Sequence, residues 1–106
     1  MPKYLVTGSY TTEGLKGLLK EGGTGRRKAV EDAVKHMGGK LEAYYFSFGD
    51  NDVVTIVDVP DNVTAAALAI GISSTGTVGT RTTVLLTPEE IDQATKKTLA
   101  FRAAGQ

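Results

Sequence analysis

The densest group of side chains that could do chemistry is Gly49-Asp50-Asn51-Asp52, where two carboxylates flank an amide between two strand-like runs. Three oxygen-bearing side chains in a row could hold a hard cation or serve as acid and base. A calcium loop needs more ligands than this turn offers, and Asn and Asp also suit turns because they hydrogen-bond locally and tolerate unusual backbone angles. Chain reversal is therefore the first reading of Asp50 and Asp52, and chemistry the second.

Gly22-Gly23-Thr24-Gly25-Arg26-Arg27-Lys28 is glycine-rich, precedes a helical run and carries three cations, so its amides could cradle a phosphate or carboxylate. It lacks the lysine-hydroxyl ending of a phosphate loop and the strand-first context of a dinucleotide fingerprint. Cations at a helix start oppose the helix dipole, which favours a binding or interfacial role for Arg26 and Arg27 over a purely helical one. A solvated basic loop is the plain alternative. Asp58 interrupts an otherwise apolar strand and, if it points inward, needs a partner such as Arg81 or Arg27. Arg81, beside Thr80, Thr82 and Thr83, suggests a polar strip that pairs with Asp58 or holds an anion.

His36 is the only histidine and falls near the end of the first helical region, where the dipole favours its protonated form. A surface position at a helix end is its plain reading. With no cysteine and one histidine, a transition-metal site would need carboxylates from distant segments, so neither a metal nor a cofactor is expected. Tyr44, Tyr45, Phe46 and Phe48 could line a pocket for an aromatic or apolar ligand, or pack in a core or dimer interface. No serine sits in a nucleophile-elbow pattern. The candidate ligand-binding set is thus Arg26, Arg27, His36, Tyr45, Asp50, Asp52, Asp58 and Arg81, with no catalytic residue assigned.

The elements that position these groups follow from composition and spacing. At 106 residues the chain reads as one domain, 1–106, able to bury roughly 60–70% of its unfolded surface. Its 12 basic residues balance 12 acidic ones, so no global field draws it to nucleic acid or an anionic membrane. Met1-Pro2-Lys3 leads straight into a strand and no apolar run nears the ~20 residues of a spanning helix. A cytoplasmic location is expected, and the sequon Asn62-Val63-Thr64 then carries no glycan.

Residues 4–7 predict a strand ending at Gly8, with Thr11 or Thr12 capping a helix. Leu15, Leu18 and Leu19 form one helical stripe, the glycines interrupt it, and spacing resumes from Ala29 to Met37 before Gly38-Gly39 ends the run. The helical region is expected to be broken or kinked. Residues 41–48 and 53–59 predict a hairpin, and 63–72 an alanine-rich helix so apolar that it must be well buried. Residues 77–86 predict a strand, and Thr87-Pro88-Glu89-Glu90 starts a helix running toward Arg102.

The order β-α-β-β-α-β plus a C-terminal helix is the ferredoxin-like α+β arrangement, with helices on one sheet face only. Alternation places Leu41, Ala43 and Tyr45 on one side and Tyr44, Phe46 and Phe48 on the other, so both faces carry apolar groups. An apolar outer face predicts a homo-oligomer, most simply a dimer packing sheet on sheet.

The set Tyr4-Leu5-Val6, Gly22-Gly23-Thr24-Gly25-Arg26-Arg27, 44–50 and Arg81-Thr82-Thr83-Val84-Leu85-Leu86-Thr87-Pro88-Glu89-Glu90 resembles the GYD-domain family over nearly the whole chain. The family's Gly-Tyr-Asp tripeptide corresponds to the neighbourhood of Asp50-Asn51-Asp52, where the aromatic residue is absent. The resemblance implies a small ferredoxin-like protein of the dimeric α+β barrel type, with no established activity.

The leading expectation is a homo-oligomeric domain that binds a small molecule or a protein partner. A cofactor-independent oxygenase or isomerase using His36, Arg81 or an aspartate rests on fold analogy alone. An anion- or nucleotide-sensing module would use Arg26 and Arg27.

Overall fold

Capping residues and alternating apolar positions define seven elements in the computed structural model, which describes residues 1–106. In chain order they are β1 (Lys3–Tyr10), α1 (Thr12–His36), β2 (Lys40–Phe46), β3 (Val53–Asp58), α2 (Asn62–Ser73), β4 (Val78–Leu85) and α3 (Pro88–Thr95). The four strands form one antiparallel sheet in the order β2-β3-β1-β4, an α+β arrangement compatible with a ferredoxin-like fold.

Each helix starts where a side-chain oxygen can satisfy a free amide. Thr11 accepts from the Gly14 amide, Asp61 from the Thr64 amide, and Thr87 from the Glu90 amide while Glu90 reaches back to the Thr87 amide. Gly38, with φ +82°, lets α1 close in a left-handed turn, its amide donating to Lys35 and that of Gly39 to Val34.

The core lies between the sheet and the two crossover helices. Tyr4, Val34, Val57, Val59 and Ala65 form it, with Val6, Val30, Leu41 and Leu68 packed at its margin. Each buried valine contributes roughly 1.5–3 kcal/mol. The Tyr4 phenol donates to the Asn62 side-chain oxygen, so the core's one aromatic ring also fixes the start of α2.

Several sequence expectations need correction. The glycine-rich stretch is not a loop: α1 runs through it, and only Gly22 (φ +78°, ψ +170°) leaves helical geometry, which is where the expected kink falls. β1 continues two residues past Gly8, because Ser9 and Tyr10 still pair with Gly79 and Val78 of β4. A register shift between Leu41 and Ala43 inserts one unpaired residue, so Leu41 pairs with Val57 and shares the helix-covered face with Tyr44 and Phe46. Strict alternation had placed it with Ala43 and Tyr45. α2 is not well buried: Ala65 faces the core, but Val63 and Ile70 are 79% and 70% exposed. α3 stops at Thr95, well short of Arg102, and makes no extensive contact with any other element. The chain accordingly reaches 58 Å, with a radius of gyration of 17.0 Å against the roughly 13 Å of a compact domain this long.

The other sheet face carries Leu5, Thr7, Ala43, Tyr45, Val54, Ile56, Arg81, Thr83 and Leu85, and no helix covers it. Lys3 ends this face with a 2.9 Å contact to Asp58 and a 2.7 Å contact to Glu42. No helix is long and apolar enough to cross a membrane.

Candidate ligand-binding site

Strand β1 directs Tyr4, Val6, Gly8 and Tyr10 toward the helices, since side chains alternate along a strand. Tyr4 fills the core, whereas Gly8 has no side chain and lets a Val78 methyl lie against the strand, 2.9 Å from where a Cβ on Gly8 would stand. After the Gly22 kink, α1 brings Arg26 and Val30, one turn apart, over this part of the sheet. Tyr44 of β2 closes one side, and Val78 and Thr80 of β4 with Ile72 of α2 close the other.

The result is a cavity of about 50 Å³, lined mainly by Val6, Val30, Val53, Thr55, Ile72 and Val78, with Arg26, Tyr10 and Tyr44 on its wall. A second cavity of about 30 Å³ shares Val6, Val30, Thr55 and Ile72 with it and continues toward Ala65, Leu68 and Thr82. The two form one apolar seam. It exists because α1 packs on β1 and β2 while α2 packs on β4, and the helices make no extensive contact with each other.

Two hydroxyls in the wall are already engaged. Thr55 donates to the Val6 carbonyl at 2.9 Å, and the Thr80 and Ser73 hydroxyls lie 3.1 Å apart. Arg26 is the only charged residue on the main cavity. Burial works against its cation, but Glu21, 3.3 Å from Nη1, and the Tyr10 hydroxyl together outweigh that and hold the guanidinium charged. Burial pushes the Tyr44 phenol well above the usual tyrosine range, and the Tyr10 hydroxyl beside it adds to the effect, against a smaller opposing pull from Arg26. Tyr44 also stacks edge-on against Phe46, with centroids 5.4 Å apart, which fixes its ring. At neutral pH the cavity therefore presents a cation and protonated phenol to whatever enters it.

The residues singled out from the sequence do not form one site. Arg26 alone lies on the cavity. Arg27, on the next face of α1, shares an outer trough with Tyr45 and Lys28. His36 is exposed in the last turn of α1. Asp58 pairs with Lys3 rather than with Arg81 or Arg27, because β1 sets Lys3 directly opposite it. Arg81 is exposed on the bare sheet face, opposite Thr7.

The acidic turn is a fastening. Asp52 accepts from the Tyr10 amide at 2.8 Å and donates its own amide to Gly8 at 2.8 Å, while Ser9 donates to the Asp50 carbonyl at 3.0 Å. Ser47 closes the turn by donating its hydroxyl to Asn51 and its amide to Asp52. No non-glycine residue has positive φ, so the turn does not draw on tolerance of unusual angles, and the one bond made by these Asn and Asp side chains is that of the Asp52 carboxylate to the Tyr10 amide, 42 residues away. No three histidine, aspartate or glutamate side chains gather closely enough to hold a metal ion.

Tyr10 and Tyr44 are the site residues that the sequence set omitted. The signal was present in the alternation Tyr4-Val6-Gly8-Tyr10, which becomes visible once β1 is carried to its true end. The sequence marks Tyr44 only as one of four aromatics able to line a pocket, and Tyr45, in the candidate set, faces the open side of the sheet.

No curated protein and no solved structure matches the chain. The family model described as the GYD domain matches residues 4–95, which takes in every strand, all three helices and the whole seam. With that match covering most of its 106 residues, the chain belongs to the GYD-domain family.

Proposed function

We propose that this domain binds a small molecule in the seam between α1 and α2, and that it does so as a homo-oligomer closed over its bare sheet face. One observation carries the reading: Arg26, Tyr10 and Tyr44 gather on the wall of an otherwise apolar cavity that neither helix fills. Buried apolar walls with a few convergent polar groups are the usual form of a small-molecule site.

Acid–base chemistry through the residues first considered has little support. His36 and Arg81 are exposed and Asp58 is salt-paired, so none stands in an enclosed cleft beside a reacting group. A phosphate cradle at residues 22–28 loses its loop, and its two arginines line different grooves.

The test is a fragment screen read by amide chemical shifts. Small amphiphiles should move the resonances of Val6, Val30, Thr55 and Ile72 and raise the melting temperature by mass action. Val30→Trp, which would fill the seam from α1, should abolish both responses while circular dichroism remains that of the folded chain. Shifts confined to the trough around Arg27 and Tyr45, or a Val30→Trp protein that still binds, would refute the assignment.

A further inference from the structure

We infer that the ligand is a short-chain aliphatic carboxylate, its oxygens held by Arg26 and the Tyr10 and Tyr44 phenols and its hydrocarbon lying in the seam. This deepens the reading of the seam as a small-molecule site and rests on it.

The argument begins with hydrogen-bond inventory. Arg26 has five N–H donors and no acceptor, and its only ion pair is a single 3.3 Å contact to Glu21. The Tyr44 phenol, held protonated, and the Tyr10 hydroxyl beside it line the same wall. Thr55 and Thr80 are committed to protein partners. The wall is thus rich in donors and poor in acceptors, which suits a ligand head made of acceptors alone.

Charge narrows the class. A carboxylate matches a guanidinium fork with two parallel hydrogen bonds and adds a single negative charge beside a cation that Glu21, outside the cavity lining, contacts through Nη1 alone. A phosphate dianion would bring twice that charge into an apolar cavity whose single lining cation already meets Glu21, which is costly where water is excluded. A neutral amide or alcohol offers the guanidinium fork no pair of charged oxygens.

Volume limits the tail. One water position needs on the order of 10–15 Å³ by the same measure, so the main cavity of about 50 Å³ accepts only a few heavy atoms. The adjoining space of about 30 Å³ extends this by one or two carbons, lined by Val34, Ala65, Leu68 and Ala69 with no charged group. A branched chain of four or five carbons fits without parting the helices.

The experiment titrates the intact protein with sodium 3-methylbutanoate, 3-methylbutanamide and 3-methylbutanol, following the amides of Val6, Val30, Thr55 and Ile72. The carboxylate should bind at least tenfold more tightly than either neutral analogue. Arg26→Met should erase that preference while leaving weak seam binding, and Arg26→Lys, which keeps the charge without the fork, should retain part of it. Equal binding of all three compounds in the seam would overturn the carboxylate and leave the seam as a binding site. Binding of none of them, together with a fragment screen that yields no seam ligand, would overturn both. Inorganic phosphate competing as well as the acid would also overturn the proposal.

Discussion

Gly14 in the first turn of α1 rests directly on the backbone of Thr77, whose carbonyl oxygen occupies the place a Cβ on Gly14 would take. The same carbonyl accepts from the Thr11 amide at 2.9 Å, and the Thr11 hydroxyl donates to the Gly76 carbonyl at 2.8 Å. The start of α1 is thereby fastened to the entrance of β4, one residue before Val78 joins the wall of the seam.

Gly14→Ala should therefore destabilise the protein by about 3 kcal/mol or more, since the obstacle is backbone and cannot rotate away. Gly17 is the internal control, because nothing lies within 4 Å of a Cβ placed there and it sits in the same helix. Gly17→Ala should stabilise by about 0.5–1 kcal/mol through helix propensity. Urea denaturation of both variants checks the pair, and equal effects would refute the account of the contact.

Tyr44 gives an alkaline prediction. In the unfolded chain its phenol ionises near pH 10.0, while in the folded protein burial, and then the neighbouring Tyr10 hydroxyl, hold it protonated to higher pH. Below that range both states are protonated and Tyr44 contributes no pH dependence. Above it the unfolded state loses its proton first, so stability falls as pH rises toward the folded value. Tyr44→Phe removes this contribution, and denaturation midpoints from pH 9 to 11 should decline less steeply for the variant than for the parent.

Much of this fold was legible because short-range rules govern its punctuation. Thr11, Asp61 and Thr87 cap helices through contacts three residues away, and Gly38 ends α1 by its own backbone freedom. What local pattern could not supply was which neighbour each strand residue meets. The shifted register at Leu41 moved it to the other face, and the pairing of Ser9 and Tyr10 with β4 lengthened β1. Asp58 found Lys3 because two strands 55 residues apart in sequence lie side by side. The binding seam was the least legible feature, for it arises from two helices that fail to meet, and no residue type announces a gap.

Asp61 gives the acid counterpart. The Thr64 hydroxyl and then the Thr64 amide hold its carboxylate below its ordinary 3.8. A depressed folded value means that the stabilisation is fully present above the unfolded value and is lost as pH falls through the folded one. Asp61→Asn keeps an acceptor at the cap of α2 but cannot titrate, so its unfolding midpoint should fall less between pH 5 and 2. Asp61→Ala should lower stability at neutral pH, and a wild-type acid profile in Asp61→Asn would count against the capping explanation.

The bare sheet face carries the last prediction. Leu5, Val54, Ile56 and Leu85 project from it, and its charged end is largely self-neutralised, with Lys3 held by Glu42 and Asp58. A one-sided antiparallel sheet usually turns polar residues to water, whereas this face would strand its apolar groups there. Two such faces packed at the usual spacing of about 10 Å would bury them and set the seam of each copy on the outside. Light scattering at micromolar concentration should then give a multiple of the 11.2 kDa chain mass. Ile56→Glu puts a charge at the centre of that contact and should return the mass to one chain, while Lys20→Glu, on the exposed part of α1 away from the sheet, should leave it unchanged. Because the seam lies on the opposite side of the sheet, the Ile56→Glu protein should still bind a seam ligand with less than a tenfold change in affinity. A parent protein that runs as one chain would remove the dimer from the proposal without touching the seam.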